Sequence, residues 1–167
     1  SVFEINDRYQ VKIEAASLSG YRTIFIGGVR DPVLIAGIDT FIQALSDRLR
    51  QRHSSLVSGE AQIHFHVYGK NAVMADWEPA KDFHPLEVGV LCEVTAQDQT
   101  EASDICSDAR IGMLHMPYPG QVATAGNFAI PLTPPENPIG PVFRFSLYHL
   151  MDVADPVELF SWKCEEI

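Results

Sequence analysis

The apolar residues of this chain repeat every two positions in some segments and every three or four positions in others. These two periods are typical of strands and helices, respectively. One helix pattern begins after Asp31-Pro32, where an N-cap residue precedes proline. A second helix pattern covers about residues 97–116. The first helix should end within 51–55. Strand patterns lie at residues 21–29, 62–68, 86–95 and 142–149.

The resulting order is strand, helix, strand, strand, helix, strand, which is the split β-α-β (ferredoxin-like) arrangement. The sequence therefore predicts an α+β sandwich in which both helices cover one face of an antiparallel sheet. Three apolar rows should face the helices: Ile63/Phe65/Val67, Val88/Val90/Val94 and Phe143/Phe145/Leu147. The open face should carry the polar residues of the same strands, namely His64, His66, Tyr68, Glu93, Arg144 and Tyr148.

Two further segments lie outside this plan. Residues 9–15 alternate like a strand and precede the turn-forming residues 17–20, so they predict an extra N-terminal strand. We accordingly expect an N-terminal arm at 1–19 and a ferredoxin-like domain at 20–167. The proline- and glycine-rich residues 118–141 predict a long loop, and loops of this length commonly have a functional or interface role.

Composition restricts the classes of function. A length of 167 residues with 46% apolar residues suits one globular domain, and the net charge of −10 disfavours binding to nucleic acid or anionic membranes. The sequence has no apolar run of membrane-spanning length and does not begin like a signal peptide. The three cysteines lack metal or redox spacing, which predicts reduced packing residues and a cytoplasmic protein.

Several short motifs resemble, in order, the C-terminal region of the acyclic terpene utilisation (AtuA-like) family. They are Gly20-Tyr21-Arg22, residues 28–36 (GVRDPVLIA), 67–74 (VYGKNAVM), Tyr118-Pro119-Gly120, 124–127 (TAGN), and 140–142 with 148–151. The resemblance implies a role in acyclic terpenoid or branched acyl-CoA catabolism, and the N-terminal domain of the same longer protein as a partner. Ala72 and Ala75 replace glycines that are usual in the family, which affects any site on that loop.

Loop position and this resemblance select the ligand-binding candidates Arg30, Lys70, Asn71, Asn127 and His149. No residue is assigned as catalytic. Gly27-Gly28 before a helix resembles an anion-binding turn, although a tight exit from the strand explains it better. His64 and His66 have a spacing that suits zinc, with Glu87 or Glu93 as a third ligand, but two histidines alone are a weak signal. We therefore predict neither metal nor cofactor.

Three hypotheses of function remain open. The first is an accessory domain of an AtuA-like enzyme, which shapes a pocket or assembles subunits. The second is a non-catalytic module that forms a homo-oligomer by pairing through its open sheet face. The third is a lyase or hydratase that uses His64, His66 or Glu93 in acid–base chemistry.

Overall fold

A computed structural model describes residues 2, 8–80, 84–124, 127–155, 157, 159–161 and 163–165. The described residues form four strands, four α-helices and one short 3₁₀ helix (Ala75–Trp77). The strands are β1 (Tyr9–Val29), β2 (Gln62–Tyr68), β3 (Val88–Ala96) and β4 (Asn137–Val153). The helices are α1 (Pro32–Ala36), α2 (Ile38–Arg52), α3 (Ser55–Ser58) and α4 (Gln99–His115).

The strands form one open antiparallel sheet in the order β2-β3-β1-β4. Strand β3 lies between β1 and β2, so that Cys92 is opposite Phe25 on one side and Phe65 on the other. The prediction of an α+β protein with an antiparallel sheet is confirmed.

Alternation along the strands places one row of each central strand in the core. Every second residue of β3, from Val88 to Ala96, is buried, as are Phe25 and Val29 of β1. Helix α2 contributes Phe41, Leu45 and Leu49, which recur every four residues and so share one face of the helix. Helix α4 contributes mostly small or unbranched core residues, namely Ala102, Ile105, Cys106, Ala109 and Met113.

Side-chain caps define where two of the helices begin. The Asp31 carboxylate accepts a hydrogen bond from the Val33 amide at 2.8 Å, and Asp98 accepts one from the Glu101 amide at 2.9 Å. The start of the first helix at Asp31-Pro32 is confirmed. The predicted single helix is instead divided at Gly37, where α1 ends and α2 begins. Helix α2 ends at Arg52, within the predicted range of 51–55, and α3 follows as a short helix.

The predicted extra N-terminal strand was wrong, because residues 9–29 form the single strand β1. Residues 17–20 do not turn. Gly20 has φ 148°, a conformation that suits glycine, and a Cβ there would lie 2.4 Å from the Ala96 carbonyl oxygen. This glycine lets the strand pass close to β3 without breaking. At the other end of the chain, β4 begins at Asn137 rather than at Val142, which shortens the expected loop.

The chain divides into two compact units, residues 19–142 and residues 1–18 with 143–167. The first unit contains the helices and the core. In the second, the described parts of β1 and β4 are linked by side-chain contacts, including Lys12 over the Tyr148 ring at 4.9 Å. The expectation that Phe143, Phe145 and Leu147 face the helices was wrong: all three are exposed. They belong to the second unit, whose described residues include no helix.

Candidate functional site

Three of the short motifs noted in the sequence meet at one end of the 19–142 unit. At this end β1 and β2 finish and β3 starts, with Val29 opposite Val88 and Tyr68 opposite Gly89. Residues 28–36 leave β1 here, residues 67–74 leave β2, and residues 118–120 pack against α1, with Gly120 beside Val33. Chain segments that are distant in sequence are thus brought together by the sheet.

A hydrogen bond between Tyr118 and Asp31 links two of these segments. The Tyr118 hydroxyl donates to Asp31 Oδ2 at 2.5 Å, while Asp31 Oδ1 caps α1. The bond from Tyr118 lowers the pKa of the Asp31 carboxyl. Burial and the neighbouring carboxylate raise the pKa of Tyr118 from 10.0 to about 12. Near neutral pH the pair therefore consists of a neutral phenol and a carboxylate.

Beside this pair is an apolar cleft of about 360 Å³. We call it the apolar cleft; its walls are Val33, Leu34, Gly37, Thr40, Phe41, Ala44, Met116, Pro117, Tyr118 and Pro119. The Phe41 and Tyr118 rings meet edge to face, with centroids 5.9 Å apart. The buried residues Leu34 and Phe41 also belong to the core, so part of the cleft wall is fixed by the fold.

Arg30, Lys70 and Asn71 lie at the same end of the sheet. Arg30 Nη1 donates to the Leu86 carbonyl at 2.6 Å, and its side chain lines an open groove with Gly69, His84 and Glu87. Lys70 forms an ion pair with Asp39 at the start of α2. Asn71 lies in the turn after β2, where its carbonyl accepts a hydrogen bond from Ala75 at 2.7 Å. The charged groups of Arg30 and Lys70 are therefore both bound to other residues of the protein.

Asn127 begins a segment that pairs with the end of β1. Its side-chain amide donates to the Ala123 carbonyl at 2.8 Å, and Gly28 and Ala129 exchange two backbone hydrogen bonds of 2.8 Å. Phe128 lies directly over Gly27, and a Cβ there would be 2.1 Å from the ring. Gly27 and Gly28 therefore lie against other protein atoms, which agrees with the interpretation of these glycines as a tight exit from the strand. His149, the fifth ligand-binding candidate, lies in the other compact unit.

On the open sheet face the structure brings His64, His66 and Glu93 together. His64 is opposite Glu93 in the register, and His66 Nε2 is 3.7 Å from a Glu93 oxygen. Glu93 also forms an ion pair with Arg22 at 3.1 Å. Tyr68 is exposed on β2, whereas Arg144 and Tyr148 belong to the other unit. Across the described parts of the chain, no three His, Cys, Asp or Glu side chains are grouped as metal ligands.

Two features of these sites are not evident from the sequence. Asp31 is predicted as a helix cap and Tyr118-Pro119-Gly120 is noted as a motif, but nothing in the sequence pairs residues that are 87 positions apart. The only available signal is that both lie in the short motifs singled out above. The sequence also does not reveal Arg22 as the partner of Glu93, because the pair depends on the β1–β3 register.

Comparisons of the chain with protein-family models, with curated proteins and with solved structures give no significant match. In the described residues, none of the helices combines the length and the apolar character needed to cross a membrane.

Proposed function

We propose that this chain is an accessory, ligand-binding domain of an AtuA-like protein that acts in acyclic terpenoid or branched acyl-CoA catabolism. The observation that carries the proposal is the apolar cleft, whose walls include Val33, Leu34, Tyr118 and Pro119 from two of the family-like motifs. In this account the cleft holds the branched hydrocarbon part of a ligand. The N-terminal domain of the same longer protein supplies the reacting groups.

The arrangement of the described elements supports the ferredoxin-like fold that the sequence predicts. The described elements alternate as strand, helices, two strands, helix and strand, and the sheet order is β2-β3-β1-β4. Antiparallel pairing of β3 with both neighbours is the pairing that a split β-α-β arrangement requires.

The chemistry of the cleft favours a small apolar ligand over a charged one. Its volume is at the lower end of the range of about 300–1,000 Å³ that is usual for ligand pockets. Aliphatic and aromatic side chains form most of its wall, and such walls reward burial of hydrocarbon. The Asp31 carboxylate, which is bonded to Tyr118 behind the cleft wall, would repel an anionic head group, whereas the Tyr118 hydroxyl oxygen can accept a hydrogen bond from an alcohol. We therefore expect terpenoid alcohols to bind better than the corresponding acids.

A titration with citronellol, followed by chemical shifts of the backbone amides, tests this proposal. We expect shifts confined to residues of α1, α2 and 116–119 at about 1 mM ligand. The variant Ala44→Phe fills the cleft from an exposed position of α2 and should weaken binding at least about tenfold. Gln43→Phe is the matched control, because Gln43 is exposed on the same helix but does not line the cleft.

Two results would contradict the proposal. The first is the absence of shifts at the cleft with citronellol, and the second is equal binding by the wild type and Ala44→Phe. A linear alcohol of the same carbon number serves as the comparison for branched-chain preference.

The other two hypotheses have less support from the described residues. Glu93 is already paired with Arg22 and His66, which leaves it less suited to fix the register of a sheet-face dimer or to act as a general base. Pairing through the open sheet face and lyase or hydratase chemistry both stay predictions.

A further inference from the structure

The second compact unit contains a two-stranded segment with little cover. We call it the ribbon: the described residues 8–18, which contain the start of β1, and 143–155, which contain the end of β4. Its strands are joined by side-chain contacts, such as Gln10 Nε2 to Asp152 Oδ1 at 2.7 Å. An isolated pair of strands is only marginally stable in water, and it gains stability when one face is covered.

The two faces of the ribbon differ in chemistry. Lys12 lies over the Tyr148 ring, and Gln10 contacts Asp152, so the even-numbered residues of both strands share one face. Alternation then places the odd-numbered residues on the opposite face. That face is the more apolar of the two and includes Tyr9, Val11, Ile13, Phe143, Phe145 and Leu147, with Ser17 and His149 as the polar residues within its strands. The even-numbered face carries most of the charged and polar residues, together with Leu18, Tyr148 and Leu150.

The odd-numbered face exposes a large apolar area for a segment as small as the ribbon. Tyr9 is 64% exposed, Phe143 60% and Phe145 76%, and Leu147 adds a further exposed side chain. Since an aromatic side chain has about 150–250 Å² to bury, these residues together offer about 500 Å². Two such faces in contact would bury about 1,000 Å², which is close to the minimum for a specific interface.

The charge of the ribbon favours a copy of the same chain as the occupant. The described ribbon residues include three basic side chains (Arg8, Lys12, Arg144) and three acidic ones (Glu14, Asp152, Asp155), so their net charge is zero. The whole chain carries −10, which means that the excess acid lies outside these residues. A strongly charged partner would gain little from the ribbon, whereas two ribbons bring no net charge into their contact, and the excess acid of the two chains repels only from outside it.

We propose that the odd-numbered face of the ribbon packs on the same face of a second copy, in a two-fold symmetric dimer. A symmetric dimer uses one surface twice, so a single apolar patch is sufficient. Phe143 and Phe145 form the centre of the contact, and Tyr9 and Leu147 surround them.

Sedimentation velocity of the full chain between about 1 and 100 µM tests the proposal. The wild type should form a dimer with a dissociation constant in the micromolar range, as expected for a contact of about 1,000 Å². Phe145→Glu should raise the dissociation constant at least about a hundredfold, because it buries an unpaired carboxylate at the centre. Since Phe145 is 76% exposed, the variant should keep the wild-type circular dichroism spectrum.

Tyr148→Glu is the matched control. Tyr148 is 72% exposed on the same strand, but it lies on the even-numbered face beside Lys12. The Tyr148→Glu variant should dimerise like the wild type. A wild type that stays monomeric at about 100 µM would overturn the proposal, as would a Phe145→Glu variant that dimerises normally. Equal loss of dimer in Tyr148→Glu would also overturn it, since the contact would then not be specific to the odd-numbered face.

Discussion

At the scale of single residues, Tyr118 and Asp31 shift each other's pKa in opposite directions: the Asp31 carboxyl ionises more easily and the Tyr118 phenol less easily. The hydrogen bond from the phenol stabilises the charged form of Asp31 and lowers its pKa. Burial and the adjacent carboxylate disfavour the phenolate, which raises the pKa of Tyr118 to about 12. The stabilisation from Asp31 is present above its ordinary pKa of 3.8 and decreases as the pH falls through the lowered value. That from Tyr118 is complete below pH 10.0 and is lost as the pH rises to about 12.

Replacement of Tyr118 by Phe should therefore have its clearest effect in the pH dependence of stability. At pH 7 we expect a loss of about 1 kcal/mol, below the range of about 1.5–3 kcal/mol for a hydrogen bond to a charged group, because Asp31 is partly accessible to water. Between pH 10 and 12 the difference from the wild type should shrink, since the wild type loses its own contribution there. Urea unfolding across this range measures both quantities.

Tyr68→Phe is the control for this series, because Tyr68 is exposed and the hydrogen bonds between described residues do not include its hydroxyl. A constant difference between Tyr118→Phe and the wild type up to pH 12 would contradict the assigned pKa shift.

At the scale of elements, the end of β1 and the segment 127–130 are held together by a contact that only glycine permits. Gly27→Ala would place a methyl group 2.1 Å from the Phe128 ring, so the ring or the strand must move. We expect a loss of about 1–3 kcal/mol, as for other overpacked cores. Gly28→Ala is the matched control, because its nearest neighbour would be 4.0 Å away. Urea unfolding of the two variants should separate them, and equal stabilities would contradict the contact.

The elements of the 19–142 unit were largely predictable because their signals are local. The apolar period of α2 and α4, the cap at Asp31, and the alternation of β3 are all encoded in short stretches of sequence. The continuity of β1 was not predictable in this way. Residues 17–20 have the composition of a turn, and only the close approach of Gly20 to Ala96 keeps them extended. The exposure of Phe143 and Phe145 likewise depends on where β4 extends, which periodicity does not specify.

At the scale of the whole molecule, the three thiols report on opening of the core. Cys92 and Cys106 are buried between β3 and α4, whereas Cys164 is exposed. Burial raises the pKa of the Cys92 thiol, which lowers its reactivity further. We expect one thiol to react rapidly with Ellman's reagent in the native protein, and Cys92 and Cys106 to react only as the protein unfolds. Cys164→Ser should abolish the rapid phase, and a second rapid thiol would show that the core opens locally.

The candidate site was only partly predictable, since it is a property of the assembled fold. Arg30, Lys70 and Asn71 were chosen from their loops, and the structure places them at one end of the sheet. The cleft itself depends on α2 meeting residues 116–119, and no local pattern reveals this contact. His149 could not be located from its motif, because its position depends on the division of β4 between the two units.

The two oxygens of the Asp31 carboxylate have a consequence for how the cleft can respond to an occupant. One oxygen starts helix α1 and the other holds the Tyr118 wall, so a single side chain serves both. If the cleft binds a ligand as we propose, a ligand that leaves Tyr118 in place should keep both hydrogen bonds of Asp31 and with them the first turn of α1. A bulkier ligand that displaces the phenol should free one of the two oxygens and loosen that turn. Amide protons of the turn would then exchange faster with the bulkier ligand than with the smaller one.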